Sequence, residues 1–534
     1  DQQSARASSR KDDTMGVDDT FAWFVPNKAG DHDIKFGVQY VYAPLRFSDE
    51  GNMNGTFQFN TDLPFDPGNP RTYPERLSIR VPGSLDFLMK GHFVGLFAQD
   101  KWRLNERATL NLGLRYDLEV IPIPQRDNPR FSDPGDYPRD TNNISPRVGL
   151  TYALDDQGRS VVRGGVGLFY QKTPFGAIDN FISQGVFADS FTVLFPFDGV
   201  DRGPTIGQFP TDPFLANGPT VNRTLLNQLF PPGTLAKNNG DVYVDNPGRG
   251  NAYSRQYTVG YERQLGNDMA LTVDYVRSEN RDQLMRVNLN PPTRTGTART
   301  APIVRPDPDF LQNVWELVNI GEYNYNALQL QFNKRFSRGH SYRLSYTLAR
   351  TFGNTSNDVG EIVTTQVGDV LNLELGEGPT EDDRRHILSV NGTFQVPGVK
   401  GLSLSPLIRY MSGLAFTLTS SRQDLNRNGR FDDEFLPAGT YTGTGANPFT
   451  TKNKGGLNGA RGPDFFEIDL RATYALPISA VRRLQLFAEI YNLTNRANFN
   501  NPGGDQRLST FLDLRSLRQG NTSRRAQLGL RFAF

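Results

Sequence analysis

The one constellation with metal-like spacing in this chain is Asp424-Leu-Asn426-Arg-Asn428-Gly429-Arg-Phe-Asp432-Asp433-Glu434. Carboxylate and amide oxygens at alternate positions, with glycine at the sixth, are what a loop needs to wrap a hard cation such as calcium. The twelfth position is Phe435, not the bidentate glutamate of the helix–loop–helix version, and the acidic residues fall just before it. Two readings stand. Asp424, Asn426, Asn428 and Asp432 hold a structural calcium, or the segment is an ordinary turn whose Asn and Asp side chains bond their own backbone. No other cofactor is implied.

Catalytic chemistry finds little to build on. The four histidines, His32, His92, His340 and His386, are far apart and make no zinc pattern, so each reads as a rim or turn residue. The chain has no cysteine, which removes disulfides, thiolate metal sites and thiol nucleophiles together. A P-loop, a Gly-x-Ser-x-Gly elbow and a nucleotide fingerprint are all missing. Carboxylates are abundant, but nothing in one sequence selects two of them as a glycosidase pair. The expectation is a protein that is not an enzyme.

What would position these residues is a set of long alternating strands. Leu110, Leu112, Leu114, Tyr116, Leu118 and Val120 alternate with Asn111, Gly113, Arg115, Asp117 and Glu119, and Phe93 to Arg103 precedes them across a four-residue turn. That is a hairpin signature. It returns in Tyr257 to Arg263 with Leu271 to Arg277, in Leu328 to Phe332 with Tyr342 to Leu348, in Ile387 to Val396 with Leu402 to Tyr410, and in Phe466 to Tyr474 with Leu484 to Ile490. Such strands number about 14 to 16, most of them long enough to cross a bilayer at a tilt. Between the pairs lie Gly-, Pro-, Asn- and Asp-rich stretches, 171–249, 281–309, 352–383 and 422–464. Short turns alternating with long loops are the asymmetry of outer-membrane barrels. Aromatic residues near strand ends, Tyr152, Phe169, Tyr170, Phe336, Tyr410, Tyr474 and Tyr491, suit interfacial girdles or plain packing. The last ten residues place Ala526, Leu528, Leu530, Phe532 and Phe534 on one face of a terminal strand, as bacterial outer-membrane barrels end. The predicted fold is all-β: an antiparallel transmembrane β-barrel, or a large part of one, with long extracellular loops.

Composition agrees. In 534 residues, 58 basic side chains balance 57 acidic ones, which leaves no excess for a nucleic-acid footprint. No apolar run reaches the length of a spanning helix, so membrane residence would have to be through strands. Asp1 to Arg10 has neither an initiating Met nor an apolar core, so the expectation is a mature chain or a fragment rather than a precursor.

Four phrases also carry a resemblance. Asn143-Ile-Ser-Pro-Arg-Val-Gly-Leu-Thr-Tyr152, Ser160-Val-Val-Arg-Gly-Gly-Val-Gly-Leu-Phe-Tyr170, Asp383-Arg-Arg-His386, and Glu489-Ile-Tyr-Asn-Leu-Thr-Asn495 followed by Phe499-Asn-Asn-Pro-Gly503 resemble the Oar-like TonB-dependent receptors. The likeness runs from about Phe21 to the C-terminus. It implies a bacterial outer-membrane receptor or transporter barrel, binding ligand through its external loops for energised uptake or export. Such receptors carry a regulatory-like domain and a plug before the barrel. The expected organisation here is a poorly ordered segment over residues 1–20 and a receptor-like barrel over 21–534, with plug and regulatory-like domain absent. Implied partners are outer-membrane lipid, the assembly machinery through the Phe534 strand, an unidentified extracellular ligand, and the TonB complex only by way of a missing plug. The alternatives are a non-transporting structural or adhesion barrel and a soluble secreted β-rich binding protein.

Overall fold

A strand with one apolar and one polar face can stand between lipid and a wet interior only if its backbone groups pair with neighbours on both sides. The computed structural model describes residues 8–49, 55–59, 61–80, 85–121, 138–176, 190–195, 218–221, 224, 228, 241–310, 313–355, 369, 372–479, 483–518, 520 and 522–533. One eighteen-stranded sheet dominates it. Three members are short: Ser8–Asp12, Val242–Val244 and Gly378–Pro379. The others follow one another in chain order, each antiparallel to the next. They are β1 (Met15–Val25), β2 (Asp31–Asp49), β3 (Leu85–Arg103), β4 (Ala108–Val120), β5 (Ile144–Ala153), β6 (Ser160–Tyr170), β7 (Tyr253–Leu265) and β8 (Met269–Asn288). Then come β9 (Val314–Ser337), β10 (His340–Gly353), β11 (His386–Gln395), β12 (Leu402–Met411), β13 (Phe465–Pro477), β14 (Arg483–Tyr491) and β15 (Arg525–Ala533).

The two rims differ. Short turns at 26–30, 104–107, 154–159, 266–268, 338–339, 396–401 and 478–482 lie at one rim. Connections 50–84, 121–143, 171–252, 289–313, 354–385, 412–464 and 492–524 leave from the other. The expected segregation of turns and loops is therefore complete. Register fixes the faces as well: in β4 the exposed Leu112 and Leu114 point outward, and Arg115 and Asp117 point into the lumen. Leu96, Val148, Leu150, Val259 and Tyr275 extend the outward apolar belt, each well exposed. Conventional apolar cores lie instead among the loops. One holds Phe416, Leu418, Leu436, Ala460, Phe511 and Leu512, and another gathers Leu45, Met89, Ile121 and Leu317 at the loop-side ends of the strands.

Three expectations need correction. Residues 8–20, expected to be poorly ordered, pair with β2: Ser8–Asp12 against Leu45–Asp49 and β1 against His32–Tyr42. The pattern there is broken by Asp18-Asp19, which hides a strand from a search for clean alternation. Phe169 and Tyr491, read as girdle candidates, face the lumen. Arg147 lies 4.3 Å above the Phe169 ring, and the Tyr491 hydroxyl donates to Glu489 at 3.1 Å. Tyr152, Tyr170, Tyr410 and Tyr474 do share the outward face near strand ends, and Phe336 is exposed in the irregular stretch between Lys334 and Ser337.

Among the described residues β15 pairs only with β14, and β1 only with β2. The edges are correspondingly bare: Leu528 is 85% and Leu530 69% exposed, and Val17 is 72% exposed. Phe534 lies outside the described residues.

The wall makes a direct prediction. Leu114 stands mid-way along β4 on the lipid face, so Leu114→Arg should cost about 2–4 kcal/mol, whereas a charge at lumenal Asn111 should cost far less. Urea titration in lipid vesicles, followed by tryptophan fluorescence, checks this. Equal costs at the two positions would reverse the assignment of faces.

The lumenal wall and the loop-bearing rim

Charged residues on the inner face are arranged in rows across neighbouring strands. Arg163 on β6, Gly260 on β7 and Asp274 on β8 stand side by side. The guanidinium of Arg163 crosses the glycine to reach the Asp274 carboxylate at 2.8 Å, with Glu262 at 3.4 Å. Glycine is required in the middle, because a Cβ on Gly260 would lie 2.0 Å from Asp274 Oδ1 and 2.9 Å from Arg163 Nε. The same device recurs at Gln39, Gly95 and Asp117, where Arg115 donates to Gln39 at 3.2 Å across Gly95 and to Asp117 at 2.7 Å. Further round the wall Arg409 meets Glu467 and Asp469, and Arg471 meets Glu489 at 3.1 Å. Tyr342, Asn391, Asp469, Arg471 and Glu489 line a concave stretch of about 780 Å³. The sequence signal for these rows is a glycine amid alternation, legible only once the register is known.

At the rim, the expected calcium loop is held mainly by its own side chains. Asp424, fully buried, accepts the Gly429 N–H at 2.8 Å and pairs with Arg294 at 3.1 Å. Asn426 Oδ1 accepts the Asn428 N–H at 3.2 Å, and Asn428 Oδ1 accepts the Arg430 N–H at 2.9 Å. Asp432 is set apart from the other three candidates: it is exposed and paired with Arg430. Asp433 turns inward in its place and accepts both amide groups of Asn426 and Asn428. Glu434 accepts the Leu425 N–H, and burial, with Asp433 and Asp424 adding to it, pushes its carboxyl above the ordinary range. Among the described residues no group of three or more His, Cys, Asp or Glu side chains is placed to hold a metal ion. The geometry therefore favours the Asx-turn reading. Arg294 and Arg299 both stack on Phe431, tying the 293–304 hairpin to this loop.

The Asp383-Arg384-Arg385-His386 phrase sits where the 354–385 loop enters β11. Asp383, almost fully buried, accepts the Thr351 N–H at 2.5 Å and pairs with Arg461 from the next loop. That makes it a tie between loops. The histidines remain dispersed in the fold: His32 bonds Asp100 at 2.6 Å, His92 bonds Tyr40, His386 bonds Tyr346, and His340 contacts the Arg338 carbonyl in its turn.

A polar lumen, an apolar outer belt and two unequal rims converge on one architecture, and comparison with known proteins agrees. The family described as "Outer membrane beta barrel domain" matches residues 1–527. The chain belongs to this family. It is a protein of the bacterial outer membrane. The TonB-dependent transporter Oar of Myxococcus xanthus is 24% identical over 333 residues, which cover 59% of this chain and 29% of Oar. Among solved structures, the outer membrane transporter YddB of Escherichia coli superposes with a TM-score of 0.55 at 13% identity, covering 99% of this chain and 55% of YddB. Pseudomonas aeruginosa FpvA, solved with bound pyoverdine, gives 0.52 at 11% identity, covering 99% of this chain and 49% of FpvA. The chain thus spans about half the length of these solved relatives and under a third of Oar. The relatives are transporters and receptors, not enzymes.

Two predictions follow from the site. Gly260→Val should destabilise the refolded protein by about 1–3 kcal/mol through displacement of the Arg163–Asp274 pair; a denaturant midpoint equal to wild type would mean the row is slack. For the 424–434 loop, self-bonding predicts that melting temperatures in EGTA and in millimolar calcium agree to within about 2 °C. A calcium-dependent rise of several degrees, lost in Asp433→Asn, would make the loop a calcium site instead.

Proposed function

We propose that this chain forms the wall and the ligand-collecting mouth of a TonB-dependent type of outer-membrane receptor, moving its ligand across the membrane in an energised step. One observation carries the reading: every long connection leaves from one rim, above a lumen whose inner face is lined with polar and charged rows. Long loops over a polar lumen give a receptor both a collecting surface and a path, and an adhesion barrel would use the loops alone. The likeness to Oar and to YddB supports the same reading, and both relatives are longer than the region this chain matches. Within this proposal the TonB complex acts through a plug, the last strand serves the assembly machinery as its recognition element, and connections such as 171–252 and 412–464 meet the ligand outside.

The test is genetic. Deletion of this gene and deletion of TonB in the same host should produce the same growth defect on one limiting nutrient. The intact gene should restore growth, and a version with 412–464 replaced by a short Gly-Ser linker should not. A loop-dependent adhesion defect that ignores TonB would overturn transport in favour of an adhesion barrel.

A further inference from the structure

Between the loop-side end of β10, the 377–385 segment and the 451–464 stretch lies a cavity of about 630 Å³, within the range of small-molecule sites. Its walls are fixed. Gly378–Pro379 pairs with the end of β10, and Asn458 Nδ2 donates to the Pro379 carbonyl at 2.8 Å. Thr451 donates to the Arg461 carbonyl at 2.8 Å, and the Lys454 N–H donates to the Gly459 carbonyl at 3.0 Å.

The charge on these walls is unbalanced. Five cations line the cavity, Arg350, Arg385, Lys452, Lys454 and Arg461, against Glu377, Asp383 and Asp464. Two of the three acids are already committed. Asp383 neutralises Arg461, and Asp464 spends both oxygens on the Gly413 N–H and the Tyr410 hydroxyl. Among the described residues Arg350, Arg385, Lys452 and Lys454 have no carboxylate in ion-pair reach. Arg350 leans on the Phe352 ring, and Arg385 makes one long contact with a backbone carbonyl. Like charges gathered in a concave site raise its potential, and that field draws counter-charge from solution. Guanidinium forks suit carboxylate, phosphate or sulfate oxygens, and the ammonium groups add point charges beside them. Gly455 and Gly456, with φ of +83° and +73°, leave the turn without side chains, and a Cβ at Gly456 would meet nothing within 4 Å. A ligand can therefore approach the backbone there.

We infer that this rim cavity is the binding site for a small polyanionic solute bearing two or more carboxylate, phosphate or sulfate groups. The inference rests on the receptor reading above and deepens it by naming the ligand chemistry. Lipopolysaccharide phosphates in the same leaflet offer the same chemistry from a second source.

The experiment is isothermal titration of the 534-residue chain, extracted from outer membranes into detergent at low salt, with citrate, pyrophosphate and maltose. Citrate or pyrophosphate should bind one to one. Affinity should fall at least about tenfold both in the Lys452→Gln/Lys454→Gln variant and in the Arg350→Gln/Arg385→Gln variant. Maltose should give no heat. Heat-modified mobility in gels confirms that each variant is folded. Anion binding unchanged in both variants, no anion binding by the wild type, or equal binding of maltose would overturn the site. Competition by phosphorylated lipid A micelles would retain the anion chemistry and assign it to the membrane, overturning the solute. Anion binding in a protein whose deletion shows no TonB-linked defect would keep the cavity and remove the transporter, so the two readings fail separately.

Discussion

Inside a bilayer no water is available to an unpaired backbone N–H or C=O, and this constraint governs the whole molecule. It forces an uninterrupted antiparallel ladder from β1 to β15. The ladder in turn fixes which side chains share a face, since a slip of one residue would exchange a strand's outward and lumenal sets. The exposed belt around Leu114, the charged rows inside and the division of turns from loops are all consequences of one register.

The resulting molecule is inside-out relative to a water-soluble domain. Its apolar side chains face out along the wall, and its buried apolar clusters are small and sit among the loops. The cluster of Phe416, Leu418, Leu436, Phe511 and Leu512 joins the 412–464 and 492–524 connections into one layer. The Asp383–Arg461 pair and the Arg294–Phe431 stack fasten that layer to its neighbours. The rim is thus held by ordinary packing and ion pairs, above a wall held by lipid. A ligand site there can be built with fixed geometry despite lying on loops.

Much of this was visible in the sequence because strand periodicity is local. The hairpins at Phe93–Val120 and Phe466–Ile490 needed only neighbouring residues to be seen. The strand over Met15–Val25 was missed because Asp18 and Asp19 interrupt its pattern, and only pairing with β2 reveals it. Phe169 and Tyr491 carried the composition of a girdle, but their faces depend on register across neighbouring strands. In the 424–434 loop spacing selected Asp432, whereas folding turns in Asp433. The rim cavity was beyond reach altogether: Arg350 and Lys454 are far apart in the chain and meet one space only through the return of two loops.

The bare edges of the sheet have a geometric meaning. Strand direction alternates along the ladder, so β1 and β15, both odd in the series, point the same way. Joined edge to edge they would form a parallel ladder, whereas the fifteen long strands all have antiparallel neighbours and only the short Val242–Val244 segment runs parallel to β9 among the described residues. Any segment seated between these two edges and antiparallel to both would have to run opposite to them. The parity of the strand count thus sets the direction of whatever lies against both edges.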